Sequence, residues 1–134
     1  MAVIVVGYVP KPEGEAALRL AAEEAKLRDA SLVIVNSHRG GPGFDRDDAV
    51  ESEAQLERVR SALEADKVEY EIRQLVRGLD PAEDLINVAA EVSADLIVIG
   101  LRRRSPVGKL ILGSNAQRIL LDAHCPVLAV KAAA

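Results

Sequence analysis

Four short runs along the chain are apolar without interruption: Val3–Val6, Leu32–Val35, Leu96–Ile99 and Val127–Val130. β-Branched residues recur in them and no polar residue alternates with the apolar ones. Such runs predict strands buried on both faces, as in a parallel sheet covered by helices. A fifth segment, Val68–Val76, does alternate, with Val68, Tyr70 and Ile72 set against Glu69, Glu71 and Arg73. It reads as a more exposed edge strand.

Helical periodicity fills the intervals. Glu13–Arg28 is rich in Ala, Leu and Glu and places Ala17, Leu20, Ala21 and Ala25 on one face. Asp45–Ala65 carries Leu56, Val59 and Leu63 at helical spacing beneath a densely charged outer face. Asp80–Val92 opens with Asp-Pro-Ala-Glu, a capping acid followed by a proline at the first helical position. Its inner face is Ala82, Leu85, Ala89 and Val92. Ser114–Ala123 opens with Ser-x-x-Gln, the spacing of a capping box, with Ile119, Leu120 and Ala123 turned to the sheet. Strands and helices thus alternate from end to end. Right-handed crossovers make this a three-layer α/β fold, with an open, mostly parallel five-stranded sheet and a single domain over residues 1–134.

Composition narrows the function. Of 134 residues, 49% are hydrophobic and 28% charged, the balance of a soluble domain, but only 2% are aromatic. The core is therefore aliphatic, and ring platforms for stacking single-stranded nucleic acid are missing. A net charge of −4 argues against a globally basic nucleic-acid binder. The single cysteine, Cys125, cannot close an internal disulfide, which suits a reducing, cytoplasmic setting. No apolar run reaches the roughly 18–20 residues of a membrane span. Ala2–Val9 lacks a basic flank and is followed by Pro10 and Pro12, so it reads as a strand rather than a secretion signal.

Ligands of open α/β sheets bind beyond the carboxyl ends of the strands, where the strand order reverses. The segments after the first, second and fourth strands should meet there. The second is the long loop His38–Phe44. The segment after the fourth strand is set apart by its charge. Between Asp95 and Asp122 it holds no acid, but it holds Arg102, Arg103, Arg104, Lys109 and Arg118. Gly113-Ser114 stands where a helix begins, and Asn115 follows. Free N–H groups, the helix dipole and a hydroxyl make an anion site there physically sensible. The plainer alternative is that Ser114 only caps the helix and the arginines keep a loop soluble.

Ala94-Asp-Leu-Ile-Val-Ile-Gly100, the Gly113-Ser114 helix start, the ending Leu121-Asp-Ala-His-Cys-Pro-Val-Leu-Ala-Val-Lys131 and the helix Glu15-Ala-Ala-Leu-Arg-Leu-Ala together resemble the universal stress protein family. The resemblance extends over essentially the whole chain. It implies the strand order 3-2-1-4-5, a homodimer formed through the last strand, and a role in cytoplasmic stress survival. One branch of that family binds ATP or AMP through Gly-x-x-Gly, nine residues, then Gly-Ser or Gly-Thr. Gly100, Gly113 and Ser114 match; the second glycine falls on Arg103. That branch also carries an Asp after the first strand, near the adenosine, where this chain has Val9. The backbone facing the adenine corresponds to Ser37. The arginine brings a forked anion donor, whereas Val9 removes an acceptor.

The site residues the sequence nominates for the ligand are therefore Val9, Ser37, Gly100, Arg102, Arg103, Gly113, Ser114 and Asn115, with no catalytic or metal-ligating set. Other nucleotide motifs fail. Gly108-Lys109 is followed by Leu110, and Arg103 stands where a P-loop needs its first glycine. The acidic pair and aspartate of a receiver domain are absent. His38 reads as a solvated loop residue near the site, His124 as structural, Ser105 as a turn residue before Pro106, and Cys125 as a small buried apolar group. No base stands paired with a nucleophile, so the expected function is binding of ATP, with Mg²⁺ as its companion ion, or AMP or a related small anion. The alternative is a dimeric interaction module of the same fold that takes no nucleotide.

Overall fold

The computed structural model describes residues 2–9, 11–38, 46–76, 80–101 and 113–132. The elements run β1 (Val3–Gly7), α1 (Pro12–Arg28), β2 (Ser31–His38), α2 (Arg46–Ala65), β3 (Tyr70–Val76), α3 (Pro81–Glu91), β4 (Leu96–Leu101), α4 (Ser114–Asp122) and β5 (Val127–Lys131). The five strands form one sheet in the order β3-β2-β1-β4-β5, and every pairing is parallel. The α/β architecture and the strand order 3-2-1-4-5 are those expected.

Successive residues of a strand point to opposite faces, which explains the uninterrupted apolar runs. Ile4, Val6 and Tyr8 with Leu32, Ile34, Leu96 and Val98 pack under α1 and α2. Val5, Val33, Val35, Ile97 and Ile99 pack on the other face under α3 and α4. A strand clothed on both faces is apolar at nearly every position; Asn36 of β2, buried at 2% exposure, is the polar exception. β3, on the rim, keeps its charged residues, as its alternation predicts: Arg73 bonds Glu71 at 2.9 Å and Glu91 at 2.8 Å.

The last strand departs from expectation. Val127–Val130 has the same apolar pattern as the inner strands, yet β5 is the other rim: Val127, Leu128 and Val130 are only partly buried and Ala129 is exposed. Among the described residues, no strand pairs with its outer edge. On α4, Ile119 is buried, but Leu120 is 40% exposed and does not face the sheet as expected. On α1 the inner face includes Leu18, with Leu20 only partly buried.

Capping sets where α3 begins. Asp80 stands in extended conformation and its carboxylate accepts the Ala82 N–H at 3.1 Å, with Pro81 leading the helix. For α4 the expected serine cap is overturned. Gly113 occupies the capping position with extended backbone and has no side chain to cap the helix, and Ser114 is the first helical residue.

Candidate nucleotide-binding cavity

A cavity of about 180 Å³ opens where the strand order reverses. Its floor comes from the carboxyl ends of β1 (Gly7, Tyr8, Val9), β2 (Val35) and β4 (Ile99, Gly100). Three helix starts form the walls: Glu13 and Gly14 of α1, Pro81 and Ala82 of α3, and Asn115 and Ala116 of α4, with Leu85 and Ile119 deeper along the last two.

Backbone contacts bring the floor and α1 together. Tyr8 N–H donates to Val35 C=O at 2.9 Å, and Lys11 N–H donates to Val9 C=O at 2.8 Å, folding the chain back into α1. The first turn of α1 then rests directly on the sheet. A Cβ on Gly14 would stand 1.8 Å from the Val9 carbonyl oxygen, and one on Gly100 1.9 Å from that of Glu13. No side chain fits either place. Gly100 lies inside β4, where it serves the close approach of α1.

Tyr8 anchors the floor from the opposite side of the sheet. It is 2% exposed, and its hydroxyl lies 2.9 Å from Glu15 Oε1 and 3.3 Å from Gln55 Oε1. Burial, then the hydrogen bond and charge of Glu15, push the Tyr8 hydroxyl well above the usual tyrosine range.

The structure brings three of the nominated residues to the cavity: Val9, Gly100 and Asn115. Gly113 and Ser114 start α4 at its edge, and the Ser114 side chain is exposed. Ser37 lies in β2 opposite Leu75 of β3, with its side chain outside the described residues. Arg102, Arg103, Arg104, Ser105, Lys109 and the loop residues 39–44 also lie outside them. Arg118 is corrected as a member of the basic site. It reaches Asp80 at 3.3 Å, Glu83 at 3.7 Å and Asp122 at 3.7 Å, so it clamps α4 to the start of α3. Sequence reasoning missed Glu13, Gly14, Pro81 and Ala82. Their signal was two proline-led helix starts directly after strands, Pro12-Glu13-Gly14 and Pro81-Ala82.

Cys125 and His124 sit elsewhere, beside a second cavity of about 310 Å³ between the end of α3 and the α4–β5 turn. Cys125 is partly buried; burial and the Asp95 carboxylate push its thiol upward, away from the thiolate form of a nucleophile. Among the described residues, no helix is long and apolar enough to cross a membrane.

The universal stress protein family model matches residues 1–131. This chain belongs to the universal stress protein family. A universal stress protein of Mycolicibacterium smegmatis is 46% identical over 96% of this chain and 96% of its own length. Among solved structures, a universal stress protein from Archaeoglobus fulgidus is 40% identical, with a TM-score of 0.81 and 98% of both chains covered. A second, the universal stress protein from Archaeoglobus fulgidus in complex with dAMP, is 35% identical at a TM-score of 0.77, again over 98% of both chains. The five-stranded universal stress protein architecture is thus shared along the whole described chain.

Proposed function

We propose that this universal stress protein binds an adenine nucleotide, AMP or ATP, in the cavity at the strand ends. The observation that carries the proposal is an asymmetry among the three helix starts. α1 has Glu13 and Glu15 in its first turn. α3 has the Asp80 cap followed by Glu83 and Asp84. α4 alone has neither an acid in its first turn nor, at Gly113, a cap residue with a side chain. Its leading N–H groups and positive dipole end are the ones left for an external anion. The walls between are apolar (Val9, Val35, Ala82, Leu85, Ile99, Ile119), the lining a base and sugar need. The dAMP complex of the 35% identical relative supports the same ligand class.

Mg²⁺ would enter with ATP, carried by the phosphates rather than by a protein cage. The protein acts by binding, in the cytoplasmic stress response, and any hydrolysis is slow and incidental. Its working form is a homodimer through β5, whose apolar rim is a strand edge that proteins rarely leave bare. One observation favours the second reading, a dimeric interaction module without nucleotide: Val9, 39% exposed at the cavity, offers no acceptor to a ligand. Calorimetry with AMP and ATP, with and without Mg²⁺, separates the two. Heat of binding below millimolar ligand supports the nucleotide reading. No heat at millimolar ligand, together with no nucleotide released on denaturation, supports the module. Light scattering giving the mass of one chain would contradict the dimer.

A further inference from the structure

We infer that Glu13 is the residue that selects the ligand's sugar, its carboxylate accepting a hydrogen bond from a ribose hydroxyl; the inference rests on the nucleotide reading above. Among the described residues that line the cavity, Glu13 is the one charged residue. The other acids at these helix starts have protein partners. Asp80 takes the Ala82 N–H and Arg118, Glu83 takes Arg118, and Glu15 takes the Tyr8 hydroxyl. No hydrogen bond or ion pair to another described residue engages the Glu13 carboxylate. Its stem is held in place: Gly100 comes so near that a Cβ there would lie 1.9 Å from the Glu13 carbonyl oxygen and 3.0 Å from its Cβ.

An ionised carboxylate only accepts hydrogen bonds, so it takes a hydroxyl or an amine and repels a phosphate. The phosphate then belongs at the start of α4, by Asn115, across the same cavity. The cavity joins the start of α4 to the first turn of α1, and the group adjoining the phosphate is the sugar. Glu13 thereby supplies, from the first turn of α1, an acceptor that Val9 cannot. It orients the nucleotide by attraction at one end and repulsion of the phosphate at that end.

The test compares affinities of AMP, 2′,3′-dideoxy-AMP and IMP for the wild-type protein and for Glu13→Gln, by calorimetry on the full chain. A neutral amide still accepts a hydrogen bond, only more weakly, so folding and the cavity shape are retained. The wild-type protein should bind the dideoxy nucleotide about tenfold or more weakly than AMP, the scale of a hydrogen bond to a charged group. In Glu13→Gln that ratio should fall to a few-fold, while IMP, lacking the adenine amine, should follow AMP in both proteins. AMP and its dideoxy form bound equally by the wild-type protein would overturn the inference and leave nucleotide binding standing. A loss confined to IMP and relieved in Glu13→Gln would move the contact from the sugar to the base, again overturning it. Binding of none of the three at millimolar concentration would overturn both readings.

Discussion

Gly100 of β4 lies so close beneath Glu13 of α1 that a single methyl group on its α-carbon would stand 1.9 Å from the Glu13 carbonyl oxygen. The obstacle is backbone, which cannot swing aside, and α1 would have to lift from the sheet. Gly100→Ala should therefore cost about 3 kcal/mol or more, at or beyond the upper end of overpacking effects. Gly14→Ala makes a sharper case. In an ordinary helix that change stabilises by about 0.5–1 kcal/mol. Here the added carbon would meet the Val9 carbonyl oxygen at 1.8 Å, so the sign should reverse. Gly7→Ala serves as the control, since its new carbon meets only the end of the Leu85 side chain, at 3.2 Å. Denaturant unfolding of the three variants should rank Gly7→Ala as mildest. A stabilised Gly14→Ala would contradict the close seating of α1.

Asp80 has two duties, the cap of α3 and the ion pair to Arg118. Asp80→Ala should lose about 1–2 kcal/mol, mostly the cap. Asp80→Asn keeps an accepting oxygen and should lose less. Arg118→Ala removes three half-exposed ion pairs and should cost less than about 1 kcal/mol, shrinking further in high salt. An Arg118→Ala loss exceeding that of Asp80→Ala would show that the clamp, not the cap, dominates.

Tyr8 gives the fold a dependence on alkaline pH. Its hydroxyl titrates higher in the folded chain than in the unfolded one, because burial and Glu15 disfavour the phenolate. Below about pH 10, where the unfolded tyrosine is also neutral, this contributes nothing adverse. As pH rises beyond that, the unfolded state loses its proton first and stability falls. Tyr8→Phe should cost about 1 kcal/mol at neutral pH and flatten the decline above about pH 10. Tyr70, the other tyrosine, is raised chiefly by its hydrogen bond to Glu64, at 2.7 Å on the surface, so Tyr70→Phe should leave most of the decline in place. Equal slopes for the wild-type protein and Tyr8→Phe would contradict the buried hydroxyl's role.

The sheet was readable because strands covered on both faces favour unbroken apolar runs, and Val3–Val6, Leu32–Val35 and Leu96–Ile99 are such runs. The same reading misjudged β5, since apolar pattern reports propensity and not which strand ends up on the rim. Ser-x-x-Gln suggested a capping serine, but spacing cannot say which residue leaves the helix, and Gly113 does. The basic character around Arg118 looked unopposed because its acids, Asp80 and Glu83, come from α3, more than thirty residues earlier. Gly14 and Gly100 were equally opaque: each is required by a contact with a distant piece of backbone, which no local motif records. The strand-end location of the cavity was legible from topology; its walls of helix starts were not, because three separate elements have to converge to make them.

The cavity between β1, β4 and the start of α4 is the proposed seat of the adenine nucleotide. An AMP titration followed by amide nitrogen–proton NMR tests it most directly. Saturable shifts should concentrate at Val9, Glu13, Gly100, Asn115 and Ala116, with Cys125 and the end of α3 unmoved. No shifts at millimolar AMP, or shifts centred on the cavity beside Cys125, would contradict it.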